Sequence, residues 1–339
     1  MADLAQEERT FGEKLQSLPR QVLYLILIVV ISASVIASKF AGPALVLPNK
    51  PGNNAIEFYA TVMNVPEGST VAIQSDWTNS TRGESAGQLE SLLRILMRRN
   101  VKFMVYSLAD PQAPQVARDT IARITLERKL KGEREYKRWD DWISLGFFPN
   151  GEGTAKSIQS DIRKAFKGKR DVSPEGPRDV YQSPVLKNIQ TLDDLGLYIN
   201  ITASKTIDVL IERLKFKPAR FGDFEVKNKL GSMCTGVMGP ETVNYYSAGL
   251  LFGLVVGLNG VVEMETLMEN GVNWPEGKKT VEYAKDKQLV VPGWTGKQNY
   301  ARGTSYYFAL HTGMALLILA VLAGNIGMWL ARSGKGKNA

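Results

Sequence analysis

The stretch TVAIQSDWTNSTRGESAGQLESLLRILMRRNVKFMVYSLA, residues 70–109, decides the fold class of this chain. It opens with TVAIQSD (70–76), a short apolar run ending in a carboxylate, which fits a buried strand. In ESAGQLESLLRILMRRN (84–100), Leu89, Leu92, Leu93, Leu96 and Met97 recur at helical spacing. VKFMVYSLA (101–109) reads as a second strand. Strand, helix and strand in such short order make a βαβ unit, whose two strands lie parallel.

The alternation continues toward the carboxyl end. A charged helix is expected over 114–132, a strand over 142–148 and a helix over 154–166. Residues 167–190, rich in charge, proline and glycine, form a long excursion. A strand at 195–203, a helix at 205–216 and, after a basic linker, a strand at 232–239 complete the pattern. The expected fold is an α/β domain over 70–270: a doubly wound, mostly parallel sheet of about five strands, Rossmann- or flavodoxin-like. Residues 41–69 read as a connector with a short strand or helical turn in IEFYATVMNV, and 271–304 as a second connector.

The last helix of the domain is expected to start near Pro240 and to include YYSAGLLFGLVVGLNGVV (245–262). This run has no charge and spaces Gly249, Gly253 and Gly257 four apart, the stripe that lets helix backbones approach closely. A third membrane span is the competing reading. Glu263, Glu265 and Glu269 follow at once, and an odd number of spans would part the two basic tails, so helix packing or a subunit contact is favoured.

Two other runs look like membrane anchors. Residues 22–38 and 306–331 carry no charge, and a helix needs about 20 apolar residues to cross a bilayer. Spans are therefore expected over 21–40 and 305–331, with tails at 1–20 and 332–339. A cleaved signal peptide is disfavoured for the first, because four acids precede it. Arg9, Lys14 and Arg20 in one tail and Arg332, Lys335 and Lys337 in the other slightly outnumber the inner flanking charges Lys39, Lys50, Lys297 and Arg302. The positive-inside rule then puts both tails in the cytoplasm and the domain outside, in a bacterial inner membrane. Ala320 with Gly324, and Ala323 with Gly327, give the second span close-packing faces for partners within the bilayer.

Chemistry is sparse. The chain has one cysteine, Cys234, and one histidine, His311, which lies in the second span. Histidine-dependent triads and clustered-ligand zinc sites are excluded from the domain. Cys234 reads as a buried small hydrophobe, and His311 as a hydrogen-bonding group toward another helix. Net charge is +8, of which the domain carries about six, since residues 1–20 sum to −1 and 332–339 to +3. With no aromatic-interleaved basic motif, anionic lipid is a better partner for this charge than nucleic acid.

The candidate site is the rim at the strand carboxyl ends: Asp76, Trp77, Asn150, Gly151, Gly153, Thr154, Lys156, Thr202 and Ser204. Within it, GFFPNGEGTAKS (146–157) ends in Lys156-Ser157 like a Walker A loop, but Asn150 and Ala155 occupy the two glycine positions. What remains is a helix entry capped by Thr154, or a non-catalytic seat for a small anion. Asp76 and Glu84 around Trp77 are the only carboxylates that suggest hydrolysis, and Glu84 is more simply a helix-start acid. No catalytic residue, metal or cofactor is expected. The expected function is a non-catalytic, membrane-anchored subunit or scaffold that contacts other membrane proteins or itself. The alternative is a membrane-anchored sensor for a small anionic ligand.

Overall fold

The computed structural model describes residues 19–41, 50–222, 224–272, 291 and 303–335. Residues 1–18 and 336–339 of the tails and most of the connector expected over 271–304 lie outside the described residues, as do several of the flanking charges used for orientation. The chain divides into two compact units, one made of its two ends and one of Pro48–Asn299.

The end unit contains helices α1 (Arg20–Ala41) and α10 (Gly303–Lys335), which pack on one another. Arg20–Ser38 and Tyr306–Leu330 are long and apolar enough to cross a membrane, with mean hydropathies of 2.4 and 2.0. Most of their large apolar side chains are exposed, whereas Ser34, Ser38 and Ala309 are buried. Gly313 lies against α1, where an added Cβ would sit 3.7 Å from Ile31. Of the two glycines expected to mediate packing, Gly327 is buried and Gly324 faces open space. The His311 ring bonds at Nδ1 to the Tyr307 carbonyl, 2.8 Å away in its own helix, and not to a second helix.

The central unit is built on a six-stranded parallel sheet. Its strands are β1 (Thr70–Asp76), β2 (Lys102–Ser107), β3 (Trp142–Phe147), β6 (Tyr198–Thr202), β9 (Leu230–Cys234) and β10 (Leu254–Val256). Across the sheet they run β10-β9-β6-β1-β2-β3. Two antiparallel hairpins stand apart from it: β4 (Arg170–Ser173) with β5 (Gly176–Asp179), and β7 (Ala219–Phe221) with β8 (Phe224–Val226). The excursion and the basic linker of the sequence are these hairpins.

Each face of the sheet has its own apolar layer. On one lie α2 (Asn53–Asn64), α3 (Arg82–Arg98), α4 (Ala113–Leu130) and α9 (Gly257–Asn270). On the other lie α5 (Gly151–Ser160), the short α6 (Ile162–Ala165) and α7 (Thr206–Arg213), with α8 (Gly239–Ser247) beside them through Tyr245 and Tyr246. Covered on both sides, β1 is buried at all seven positions, the polar Thr70, Gln74, Ser75 and Asp76 included. α3 is buried from Ser85 through Met97, beyond its leucine stripe, because neighbours enclose it. α9 comes so close that a Cβ on Gly87 would lie 2.9 Å from Val261. Arg94, on the side facing α4, is matched by a two-bond ion pair to Glu127 at 3.1 and 2.6 Å. Burial alone would raise the Glu127 pKa, but bonds and charge from Arg94 and Lys131 hold it down at about 2.

Side chains also blunt both sheet edges. Asn54 donates to the Leu254 carbonyl at 2.8 Å on β10, and Asp171 accepts from the Ser144 amide at 2.8 Å on β3 while pairing with Arg138.

Three expectations change. Asn53–Asn64, read as connector, is a three-turn helix with eight buried residues. The sheet has six strands, not five. The single glycine-striped helix over 245–262 does not exist: α8 stops at Ser247, a turn leads into β10, and α9 begins at Gly257. The three glycines serve separate needs. Gly249 and Gly257 have φ of +74° and +58°, which side chains tolerate poorly, and a Cβ on Gly253 would collide with the Phe58 backbone. Spacing of four favours a helix only if the backbone can remain helical, and two positive φ values end it.

Candidate functional site

Ligands of doubly wound sheets bind beyond the strand carboxyl ends, where the strand order reverses. That reversal falls between neighbours β1 and β6, since the chain leaves β1 for α3 on one face and β6 for α7 on the other. Asp76 and Thr202, the last residues of these strands, are register partners.

Asp76 is buried and heavily engaged. Its Oδ1 accepts from the Ser107 hydroxyl at 2.8 Å and from the amides of Leu108 and Ala109 at 2.9 and 3.3 Å. Its Oδ2 accepts from Gln74 and, at 3.5 Å, from Asn200. The carboxylate therefore ties the loop after β2 to the end of β1. A buried relay continues beneath it: Tyr106 donates to the Tyr198 hydroxyl, and Tyr198 to Gln74 Oε1, both at 2.5 Å. Burial raises both tyrosine pKa values, so the hydroxyls remain donors. The sequence reading missed this relay. Its signal is a polar residue at every second place, Gln74-Asp76 in β1 and Tyr198-Asn200-Thr202 in β6.

The other rim residues differ: Trp77 Nε1, like Ser75 Oγ beside it and Asn200 Oδ1 on β6, is buried with no hydrogen-bond partner among the described residues. Trp77 is buried in the layer under α3. Glu84 accepts from the Gly236 amide at 2.7 Å and so clamps the start of α3 to the turn after β9. It is not a partner of Asp76, whose donors lie on β1, β2, the loop after β2 and β6. Thr202 Oγ1 accepts from the Ser204 amide at 2.9 Å and donates to its carbonyl at 2.9 Å, a side-chain turn that opens α7.

The loop after β3 is corrected in detail. α5 starts at Gly151, and its cap is Asn150, whose Oδ1 accepts from the Gly153 amide at 2.9 Å; Thr154 lies inside the helix. Gly151 fits against the preceding loop, where a Cβ would fall 2.9 Å from the Leu108 carbonyl oxygen. Ala155 is fully buried and packs the core. Glu152 occupies the first turn and pairs with Arg213, so a carboxylate of the chain already meets the positive helix end. Lys156 is exposed, while Lys169 turns to the Phe147 carbonyl at 3.3 Å and the Phe148 ring at 3.9 Å; desolvation lowers its pKa.

Burial pushes the Cys234 thiol up to about 11, which suits a packing residue better than a nucleophile. Among the described residues, no three acidic, histidine or cysteine side chains gather as metal ligands would. Asp76, Glu84 and Thr202 hold loops in place. No family model matches the chain, and no curated protein or solved structure is significantly similar to it.

Proposed function

We propose that the chain is a non-catalytic, membrane-anchored subunit or scaffold of a membrane assembly. The observation that carries this reading is the end unit: two helices long and apolar enough to span, with large apolar side chains exposed. The occupied rim supports it, because Asp76, Glu84 and Thr202 spend their polar atoms on the fold. In this reading α1 and α10 cross a bacterial inner membrane, the tails lie in the cytoplasm, and the domain lies outside. The test is native mass spectrometry after gentle extraction into nanodiscs. A stoichiometric assembly, homomeric or mixed, is expected; a solitary monomer overturns the reading.

Numbering only the main-sheet strands in chain order, their arrangement is 3-2-1-4-5-6, which supports a Rossmann-type winding over a flavodoxin-type one. That order favours a second reading, a sensor whose small anionic ligand sits at the β1–β6 reversal. Thermal-shift assays with inorganic phosphate and small carboxylates test it. A saturable rise in Tm that Lys156→Ala reduces supports it, and no shift rejects it.

A further inference from the structure

The positive charge of the domain is concentrated in one stretch. Residues 163–187, from α6 through the β4–β5 hairpin to the segment after it, hold seven lysines and arginines and three acids, a net of +4. The acids do not cancel the cations at the surface. Asp171 is buried and spent on Arg138 and the Ser144 amide, which fixes the hairpin against β3. Glu175 pairs with Arg178, and Asp179 accepts from the Tyr181 amide at 2.9 Å. Arg163 lies 5.0 Å over the Tyr181 ring and donates to the Lys187 carbonyl at 3.2 Å, so α6 and the segment after β5 share one surface. Lys167, Arg170 and Lys187 are exposed, and among the described residues no carboxylate pairs with them.

The hairpin adds an apolar element to this charge. Strand alternation turns Asp171 and Ser173 inward and leaves Arg170 and Val172 outward, with Val172 52% exposed. Pro177, its register partner on β5, is exposed as well. An apolar tip among cations fits the surface of an anionic bilayer, where the tip enters the interface and the cations meet headgroup phosphates. Nucleic acid fits less well, because the ring beside Arg163, Tyr181, is half-buried beneath that guanidinium and not free to stack on a base.

We propose that the face formed by α6 and the β4–β5 hairpin docks on anionic lipid. Val172 and Pro177 enter the interface, and Arg163, Lys164, Lys167, Arg170 and Lys187 hold the headgroups. This docking does not depend on the membrane-subunit reading, since a peripheral surface meets lipid whether or not α1 and α10 span.

The test is co-sedimentation of the full chain, held in phosphatidylcholine nanodiscs, with vesicles of phosphatidylcholine alone or with about 30% phosphatidylglycerol. Binding to the anionic vesicles alone is expected, with loss on raising salt from about 0.1 M to about 1 M. Lys167→Glu with Arg170→Glu should weaken it at least about tenfold, and Val172→Asp about threefold, with thermal unfolding confirming that the variants fold. The same charge change at two exposed lysines elsewhere, Lys129→Glu with Lys215→Glu, should weaken it less than about threefold. Should the double variant not fold, Lys187→Glu serves in its place, with about a fivefold loss expected. The idea fails if uncharged vesicles bind as well, if the variants in the face keep full binding, or if the distant pair loses as much. Tighter binding of a short DNA duplex than of the anionic vesicles also overturns it. A chain that does not stay in the nanodiscs speaks against the anchors, and the vesicle assay then runs on the free chain.

Discussion

Two buried carboxylates of the domain are held in different ways. At the carboxyl end of the sheet, Asp76 accepts from five donors on three strands and a loop. Glu263 of α9 accepts from two, the Gly52 amide and Asn259. The first carboxylate is a structural part of the sheet, whereas the second ties one helix to the entry of α2. The usual expectation for parallel sheets puts a ligand at the carboxyl end. There Asp76 is engaged, while Ser75 Oγ, Trp77 Nε1 and Asn200 Oδ1 are buried with no hydrogen-bond partner among the described residues.

The largest effect should come from Asp76→Ala, which strands several buried donors at once. A loss of about 3–5 kcal/mol in chemical denaturation is expected, and a loss under about 1 kcal/mol would break the contrast. Gly253→Ala drives a Cβ into the Phe58 backbone. It should cost about 1–3 kcal/mol by overpacking, read as a lower denaturation midpoint. Asn150→Ala removes the α5 cap and should cost about 1 kcal/mol, whereas Thr154→Ala should cost less; the reverse order would restore Thr154 as the cap.

Glu263 sharpens the contrast through pH. It is buried and accepts from the Gly52 amide and from Asn259, each at 3.1 Å. Burial raises its pKa in the fold despite those bonds. A carboxyl with a raised folded pKa binds more protons folded than unfolded, so its contribution falls as pH rises from the ordinary carboxylate range through the raised value. Unfolding across pH 4.5 and above should show this loss, and Glu263→Gln should flatten it. The smallest stability effect belongs to Lys156→Ala, within about 0.5 kcal/mol.

Much of the fold was legible. TVAIQSD and the leucines of 89–96 follow the periods of a strand and a helix, and both elements formed there because burial acts on the periodicity itself. Residues 239–270 were misread for a related reason. An uncharged run with glycines every fourth place has the composition of a packed helix, but composition does not report φ, and Gly249 and Gly257 adopt positive values. Residues 53–64 were undervalued as connector because Gly, Pro and Asn surround them, and those neighbours end the helix without weakening its eight buried positions.

The candidate site was legible in place but not in role. The polar ends of β1 and β6 could be listed from spelling, since parallel strands align their carboxyl ends. Their engagement could not, because the donors to Asp76 come from Gln74, Ser107, Leu108, Ala109 and Asn200, up to 124 residues away. Local period and charge, properties of neighbouring residues, determined the α/β class and the two long apolar helices. Only the tertiary structure decided which polar groups of the rim are bonded, because hydrogen-bond satisfaction depends on residues that meet only when the sheet assembles.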